Sequence, residues 1–208
     1  MIALSDHQPL TPEEYLELET QSPIKHEYID GEVYPMAGTT DTHNTIAGNF
    51  ATLIRSHLRG TNCRVYFADI KARLEECNCF YYPDLLVTCD ARDQETSTYK
   101  RFPKLIVEVL SGSTEAFDRG DKFNDYQTLD SLEEYVLVNT KHQRVEIFQR
   151  HEQGGWIFKT YTPTEGTFLL QSLNLTVSLA DLYEDVTLEK DSTETPEAEI
   201  YLKIEQSN

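Results

Sequence analysis

The sequence predicts a mixed α/β domain, an α+β fold in which a central mixed β-sheet is flanked by helices. Apolar segments of strand length recur along the chain, and residues 105–110 are apolar on both alternating faces, which is typical of a central strand covered on both sides. Amphipathic segments with helical spacing lie between the strand segments, most clearly at 43–59. A length of 208 residues with 39% apolar residues suits one domain with short appendages.

The first part of the chain is predicted to contain a short helix, a hairpin and a longer helix. Thr11-Pro12-Glu13-Glu14 places a capping threonine before a proline at the first helical position, with acids in the first turn. Asp30-Gly31 lies between two strand segments within 25–36, which predicts a β-hairpin. In 43–59, apolar residues recur at helical spacing, and Gly60 is well placed to end the helix.

The rest of the domain is richer in strand segments. Three strands are expected, at 64–74, 80–89 and 104–111. A helix over 115–128 follows, with Lys122 at the rim of its apolar face, about 120° from the centre of that face. The later elements are strands at 134–139, 144–150, 156–161, 167–170 and 173–177, and a short helix with a Ser178–Asp181 capping pattern.

The domain is expected to cover residues 10–185, between an N-terminal extension at 1–9 and an acidic C-terminal tail at 186–208. Residues 181–208 contain nine acids and two bases, which is typical of a solvated segment, and a helix is expected there only at Glu197–Ile204. The first residues lack the basic and apolar regions of a secretory signal, and no apolar run is long enough to cross a bilayer. A cytoplasmic location is therefore expected.

The four cysteines, Cys63, Cys77, Cys79 and Cys89, are expected to be reduced thiols. Cys77 and Cys79 are spaced too closely for the usual zinc knuckle, and no second pair with histidine spacing accompanies them. Reduced cysteines also agree with the expected cytoplasmic location, where disulfides are rare. The sequence therefore predicts neither a zinc site nor a disulfide.

The net charge of −18 argues against a general nucleic-acid binder, because non-specific affinity for DNA depends largely on Lys and Arg neutralising phosphates. The charge is unevenly distributed, since residues 181–208 contribute seven of the eighteen excess negative charges. Residues 98–150 are nearly balanced, with nine acids and eight bases. Bound divalent cations would offset clustered carboxylates further.

Two acids in apolar strand segments are the main candidates for a functional site. A buried carboxylate at Glu108 is costly unless it is paired, hydrogen-bonded or bound to a metal, whereas on an edge strand it would simply face water. Asp84 follows Pro83 at the start of another apolar segment, although by itself it also fits a turn. Adjacent strands would bring both acids within reach of one hard cation, which prefers oxygen ligands.

Three other residues are candidates for the same site. Lys122 would supply a cation near the charge that develops in phosphoryl transfer, or would form a surface i,i+4 ion pair with Asp118. His43 begins the helix predicted at 43–59, and it either points at the site or caps the helix. Tyr126 lies one turn after Lys122, and it either orients the lysine or only packs.

Together these residues resemble the PD-(D/E)XK nuclease superfamily, and more closely its Uma-type restriction-endonuclease family, a domain of unknown function. The pair Pro83-Asp84 followed by Glu108 in an apolar strand carries the likeness to the superfamily. The segments that match the family extend over roughly residues 10–183, and they are Leu10–Tyr15, Glu27–Tyr34, His43, Tyr82–Leu85, Pro103–Ser111, Lys122–Tyr126 and Glu134–Val138.

The resemblance implies a restriction-endonuclease-like core in which Asp84 and Glu108 are catalytic and bind a metal ion. It implies that Glu27, on an early element, can complete the metal site, with an exposed position in the hairpin as the alternative. The backbone carbonyl of Val109 is a further candidate ligand. The implied cofactor is Mg²⁺, with Mn²⁺ as a substitute.

The chain departs from the superfamily motif at its lysine. That motif places Lys two positions after the acid, where this chain has Leu110. The resemblance implies that the following helix supplies the lysine, which here is Lys122. This is physically reasonable, because the position of the ammonium matters and the element that carries it does not.

The resemblance therefore implies a Mg²⁺-dependent endonuclease that hydrolyses phosphodiester bonds in DNA. A homodimer is expected, because cutting two strands commonly needs two sites. The alternative is a nuclease fold that no longer cuts and acts as a binding or dimerisation module, which the net charge and Leu110 favour. A third interpretation, an α+β scaffold with incidental carboxylates, leaves Glu108 unexplained.

Overall fold

The computed structural model describes residues 8–188. Within this range the helices are α1 Pro12–Gln21, α2 Asp41–His57, α3 Glu115–Arg119, α4 Asp121–Tyr126 and α5 Leu179–Leu182. The strands are β1 His26–Ile29, β2 Glu32–Pro35, β3 Arg64–Phe67, β4 Lys71–Leu74, β5 Cys79–Tyr81, β6 Leu85–Thr88, β7 Tyr99–Lys100, β8 Leu105–Leu110, β9 Glu134–Asn139, β10 Val145–Arg150, β11 Trp156–Tyr161, β12 Thr167–Leu170 and β13 Leu175–Ser178. The tail helix expected at Glu197–Ile204 lies outside the described residues.

A six-stranded mixed sheet, in the order β11-β10-β9-β8-β6-β3, forms the centre of the molecule. Strands β8 and β9 are parallel, whereas the other neighbours in this sheet are antiparallel. Because parallel neighbours need a crossover connection, the chain leaves β8 through α3 and α4 before it enters β9. A central mixed sheet flanked by helices confirms the predicted fold class.

A second sheet, in the order β2-β1-β5-β4-β7, packs beside α1. Tyr15 of α1 joins Tyr28 and Phe80 in a buried aromatic cluster. The predicted hairpin is confirmed, and its turn residues Asp30 and Gly31 have positive φ angles of 46° and 98°. Glycine is required at the second position, because a Cβ there would lie 2.5 Å from the Cβ of Pro9.

The two faces of β8 are buried in different clusters. Leu105, Val107 and Val109 pack in the cluster that also contains the apolar residues of α2, β13 and α5. Ile106 and Leu110 pack on the other side, with residues of α4, β4 and β5. Since successive side chains alternate across a strand, Glu108 faces the α4 side of the sheet.

Three of the predicted elements are interrupted in the structure, which corrects their bounds. The strand expected at 64–74 divides into β3 and β4, because Ala68 has a φ of 61° and turns the chain. The strand expected at 80–89 divides at Pro83, which cannot donate to a ladder. The helix expected at 115–128 breaks at Gly120, whose φ of −112° and ψ of −98° are not helical.

Two helix starts follow the predicted chemistry. Thr11 and Glu14 form the reciprocal capping box at the start of α1. The longer helix α2 begins at Asp41, two residues before the predicted start, because Thr40 accepts the hydrogen bond from the backbone N–H of His43. His43 therefore lies in the first turn of α2 and is not its cap.

Cys63 and Cys89 form a disulfide, so the prediction of four reduced cysteines is wrong for this pair. Arg64 and Thr88 are paired at the end of the antiparallel β3–β6 ladder. Cys63 precedes Arg64 and Cys89 follows Thr88, so the two cysteines lie opposite one another. Sequence spacing could not indicate this, because the two positions are 26 residues apart. Cys77 and Cys79 are free thiols. No helix among residues 8–188 is long and apolar enough to span a membrane.

Candidate active site

Glu108 lies in the middle of the central strand β8 and is 3% exposed, so the edge-strand alternative does not apply. A buried carboxylate needs partners, and Glu108 has three. Its Oε1 lies 2.9 Å from Lys122 Nζ and accepts a 3.1 Å hydrogen bond from the Tyr126 hydroxyl. Its Oε2 accepts a 3.2 Å hydrogen bond from the backbone N–H of Asp84.

Asp84 is half-buried directly before β6, which pairs with β8. Its Oδ2 accepts a 2.7 Å hydrogen bond from the backbone N–H of Val109 and lies 3.1 Å from His43 Nε2. Asp84 and Glu108 thus come from neighbouring strands. The backbone N–H of Asp84 donates to the Glu108 carboxylate, and the backbone N–H of Val109, the residue after Glu108, donates to the Asp84 carboxylate. The break at Pro83 places the Asp84 carboxylate at the end of the ladder, where His43 reaches it from α2.

Lys122 lies in α4 and is 5% exposed, which corrects the predicted position at the rim of a helix. Its Nζ is 2.9 Å from Glu108, 3.0 Å from Glu27 and 3.6 Å from Asp118. The ring centre of Tyr81 lies 5.3 Å from the same nitrogen, within the range of a cation–π contact. The break before α4 redirects the helix, and as a result the ammonium points at β8 and not at solvent.

Glu27 and Tyr126 complete the contacts of Lys122 and Glu108. Glu27 lies in β1 and is 5% exposed, so it is not an exposed hairpin residue. Its Oε1 accepts a 3.1 Å hydrogen bond from the backbone N–H of Tyr82 in addition to its contact with Lys122. Tyr126 is fully buried, and its hydroxyl donates to Glu108 Oε1, the same oxygen that Lys122 contacts.

Negative charge exceeds positive charge around Lys122, because one ammonium faces the carboxylates of Glu27, Glu108 and Asp118. Burial raises the pKa of Glu108 well above its ordinary value, and the Lys122 ammonium opposes that rise. Burial also raises the pKa of Asp118. Burial lowers the pKa of Lys122, but the carboxylates, with Glu108 first, outweigh burial and raise it well above its ordinary value. Further positive charge would therefore stabilise this cluster.

The donor chemistry of the cluster fits a hard divalent cation held by two carboxylates. Asp84 and Glu108 supply oxygen donors from adjacent strands, and Mg²⁺ is commonly bound through one or two carboxylates together with water and phosphate oxygens. Within residues 8–188, Asp84, Glu108 and Glu27 do not form a group of three donor atoms within 4.8 Å of one another. The contacts of Glu27 are with Lys122 and Tyr82 instead.

A family model described as "Uma2: Putative restriction endonuclease" matches residues 12–181. The chain belongs to the Uma2 family. It is 36% identical over 186 residues to the uncharacterized protein slr1290 of Synechocystis sp., a match that covers 88% of this chain and 97% of that protein. It is 31% identical over 159 residues to the uncharacterized protein sll1609 of the same organism, covering 76% of this chain and 90% of that one.

The crystal structure of a "putative nuclease belonging to DUF820" from Anabaena variabilis has the same fold as this Uma2 chain. The two superpose with a TM-score of 0.69 at 18% sequence identity, over 84% of this chain and 98% of that one. At this identity the likeness concerns the fold alone. The family match confirms the resemblance to the Uma-type family, and the structural match confirms the restriction-endonuclease-like fold of the core.

The structure of this Uma2 chain brings together six residues singled out in the sequence: Glu27, His43, Asp84, Glu108, Lys122 and Tyr126. It adds one carboxylate that the sequence did not assign to the site. Asp118 is 4% exposed and contacts Lys122, whereas the alternative that the i,i+4 spacing left open was an ion pair on the surface. The backbone N–H groups of Tyr82 and Val109 are also part of the site, and no sequence pattern indicates such groups.

Proposed function

We propose that this protein is a metal-dependent nuclease that hydrolyses phosphodiester bonds in DNA. One observation carries the proposal: Asp84 and Glu108 are adjacent on paired strands, and a buried ammonium, Lys122, contacts Glu108 at 2.9 Å. Family membership supports a nuclease, since the description of the family is "Putative restriction endonuclease". Mg²⁺ is the proposed cofactor, and Mn²⁺ is expected to replace it.

In this proposal Asp84 and Glu108 hold the cation, with the Val109 carbonyl as a further ligand. The chemistry supplied by the bound cation is polarisation of a phosphodiester oxygen and a lower pKa for a coordinated water. Lys122 stabilises the negative charge that develops on the phosphate. Glu27 holds Lys122 in position, because its carboxylate contacts the ammonium at 3.0 Å.

His43 and Tyr126 are positioning residues in this proposal. The imidazole of His43 lies 3.1 Å from Asp84 and fixes the orientation of that carboxylate. The hydroxyl of Tyr126 donates a hydrogen bond to Glu108 Oε1, the oxygen that also contacts the Lys122 ammonium. Hydrogen-bonding partners of this kind typically contribute tenfold to about a hundredfold in metal affinity or activity.

An arginine group on the described surface supports a nucleic-acid substrate. Arg55, Arg59 and Arg64 are exposed and line a cavity of about 550 Å³ between the end of α2 and β3. Arg64 pairs with Thr88, so it lies about four residues, or about 14 Å, from Asp84 along the β3–β6 ladder. Guanidinium groups bind phosphate oxygens in a bidentate manner, which suits the DNA backbone next to a cleavage site.

The test is cleavage of supercoiled plasmid by the full chain with Mg²⁺, with Mn²⁺ and with a chelator. Wild type is expected to cut only with a metal, whereas Glu108→Gln and Lys122→Met are expected to lose at least about a hundredfold in rate. Glu134→Gln is the matched control. Glu134 is also a buried carboxylate on a neighbouring strand, but its oxygens accept hydrogen bonds from Gln171 and Ser172. Equal cleavage by Glu108→Gln and Glu134→Gln would contradict the proposal.

Calorimetric titration with Mg²⁺ separates the nuclease from an inactive binding or dimerisation module. The nuclease proposal expects binding that Glu108→Ala weakens and that Glu134→Gln leaves unchanged. Equal heats from wild type and Glu108→Ala would favour the inactive module, which the net charge of −18 and Leu110 also favour. The proposed nuclease acts as a homodimer, and light scattering of the purified chain would measure its mass in solution.

A further inference from the structure

Two thiols and a carboxylate form a second cluster of potential ligands. Within residues 8–188, Cys77 Sγ, Cys79 Sγ and a carboxylate oxygen of Asp125 all lie within 4.8 Å of one another. Cys79 is buried, whereas Cys77 and Asp125 are half-buried. A tetrahedral Zn²⁺ with bonds of about 2.3 Å to sulfur and about 2.1 Å to oxygen places its donors about 3.5–3.8 Å apart. The three donors therefore need to move by no more than about 1 Å to enclose zinc.

The turn that carries the two cysteines is fixed by the surrounding protein. Asn78, between them, has a φ of 52°, and its backbone N–H donates to the Glu75 carbonyl at 3.2 Å. The guanidinium of Arg73 donates to the Asn78 side chain at 3.0 Å and to the Cys79 carbonyl at 3.4 Å. The Asn78 amide donates to the Tyr28 hydroxyl at 3.0 Å. A rigid turn keeps the thiols close to the binding geometry before any metal arrives.

A hydrogen bond orients the Asp125 carboxylate, as is usual for carboxylates that bind metals. The buried hydroxyl of Tyr81 donates to Asp125 Oδ2 at 2.5 Å, and such outer partners orient carboxylate ligands. Among the ion pairs of residues 8–188, none involves Asp125. Two thiolates and one carboxylate carry three negative charges, which Arg73 and one divalent cation would balance.

We propose that Cys77, Cys79 and Asp125 form a zinc site, with water as the fourth ligand, separate from the carboxylate cluster of Asp84 and Glu108. Thiolates are soft ligands that select Zn²⁺ over Mg²⁺, whereas the Asp84–Glu108 pair offers only hard oxygens. The two sites therefore bind different metals. The zinc site does not depend on the proposed nuclease function.

Zinc at this position would link α4 covalently to the β4–β5 hairpin through metal–ligand bonds. Asp125 belongs to α4, between Lys122 and Tyr126, and the Tyr81 ring lies 5.3 Å from the Lys122 ammonium and 5.5 Å from the Tyr126 ring. A metal that joins Asp125 to the two cysteines would thus restrain the helix that carries the lysine. The effect of zinc on cleavage rests on the proposed function, whereas its effect on stability does not.

The test is titration of the metal-free, reduced full chain with Co²⁺, followed by displacement with Zn²⁺. Thiolate ligation gives Co²⁺ an intense sulfur-to-metal charge-transfer absorption that carboxylate ligation lacks. The Cys63→Ser/Cys89→Ser variant is the reference, because Cys77 and Cys79 are then its remaining thiols. We expect the band at one equivalent of Co²⁺ in wild type and in this reference, and its loss when Zn²⁺ is added.

Substitutions then assign the ligands. In the reference chain, Cys77→Ser and Cys79→Ser are expected to abolish the band, and Tyr81→Phe is expected to weaken Zn²⁺ binding about tenfold or more. Glu108→Gln is expected to retain the band, which keeps this result separate from failure of the nuclease proposal. Absence of the band in the reference chain, or its loss in Glu108→Gln, would overturn the inference.

Native mass spectrometry of the wild-type chain tests the zinc site even if the cysteine variants fail to fold. The proposal expects one zinc per chain after exchange into metal-free buffer containing a phosphine reductant. A chain that carries no zinc under these conditions would overturn it.

Discussion

Replacing Lys122 with methionine is the sharpest test of the electrostatics of the site. The substitution keeps an unbranched side chain of similar length, but it leaves the carboxylates of Glu27, Glu108 and Asp118 buried without their shared cation. Removing one partner of a buried ion pair costs about 3–5 kcal/mol, because the remaining charge is uncompensated. At an m-value of about 2 kcal/mol per molar urea, the unfolding midpoint should fall by about 1.5–2.5 M.

The measurement is urea unfolding followed by circular dichroism, with Lys100→Met as the matched control. Lys100 is also buried, at 3% exposure, but its ammonium donates to the neutral backbone carbonyls of Asp93 and Thr96. Removing it leaves unsatisfied carbonyls and no net charge, so the expected cost is smaller, about 1–3 kcal/mol. If Lys122→Met costs no more than Lys100→Met, the carboxylates do not depend on the ammonium and the reasoning fails.

The cost of Lys122→Met should also vary with pH. Burial raises the pKa of Glu108 above its value in the unfolded chain, and the variant lacks the ammonium that opposes this rise. A raised folded-state pKa contributes stability that is complete below the unfolded-state pKa and is lost as pH rises through the folded-state pKa. The deficit of the variant should therefore grow once the pH exceeds the folded-state pKa of Glu108 in wild type, which lies well above the ordinary value, and a constant deficit would contradict the assignment of Glu108.

Three further predictions concern single contacts. Tyr126→Phe removes the hydroxyl 3.1 Å from Glu108 and should cost about 1–3 kcal/mol in urea unfolding, with no cost expected if the acid finds another donor. A reductant should destabilise wild type by about 3.5 kcal/mol, since the Cys63–Cys89 disulfide closes 26 residues, and should not affect the Cys63→Ala/Cys89→Ala variant. Thr11→Ala removes half of a capping box and should cost about 1 kcal/mol, measured as a lower thermal midpoint; an unchanged midpoint would mean that α1 does not limit stability.

Local patterns in the sequence were sufficient for most of the fold. The capping threonine at position 11, the Asp30-Gly31 turn and the apolar run around Glu108 each act over a few residues, and each produces the predicted element. Asp84 and Glu108 were also predicted to come from adjacent strands, and they do. Patterns of this kind can be read from one sequence because neighbouring residues determine them.

The errors at Lys122 and Asp118 have a common physical cause, which is a change of chain direction at a single residue. The periodicity over 115–128 predicted one continuous helix with Lys122 at its rim, whereas the break at Gly120 turns the second helical segment so that the lysine is buried. Asp118 contacts the buried lysine and therefore belongs to the site because of the same break. A glycine in a helical pattern signals this only weakly, since many helices contain one and continue. The Cys63–Cys89 disulfide likewise depends on the register of β3 with β6, which a single sequence does not reveal.

The net charge was the strongest argument against a nucleic-acid substrate, and the structure weakens that argument. Exposed charges separated by more than about 8 Å are largely screened at physiological ionic strength, so a phosphate at the site responds to nearby groups and not to the whole chain. The groups nearest the site are the Lys122 ammonium and the carboxylates that outnumber it. The exposed arginines Arg55, Arg59 and Arg64 lie farther away, at the end of α2 and on β3, where they would contact the DNA backbone beside the site. If these arginines contact phosphates, replacing all three with alanine should reduce the salt dependence of DNA binding by a slope of about 2–3, because each phosphate contact contributes about 0.9. An unchanged slope would mean that the DNA does not contact these arginines. The net charge would then again argue against a nucleic-acid substrate.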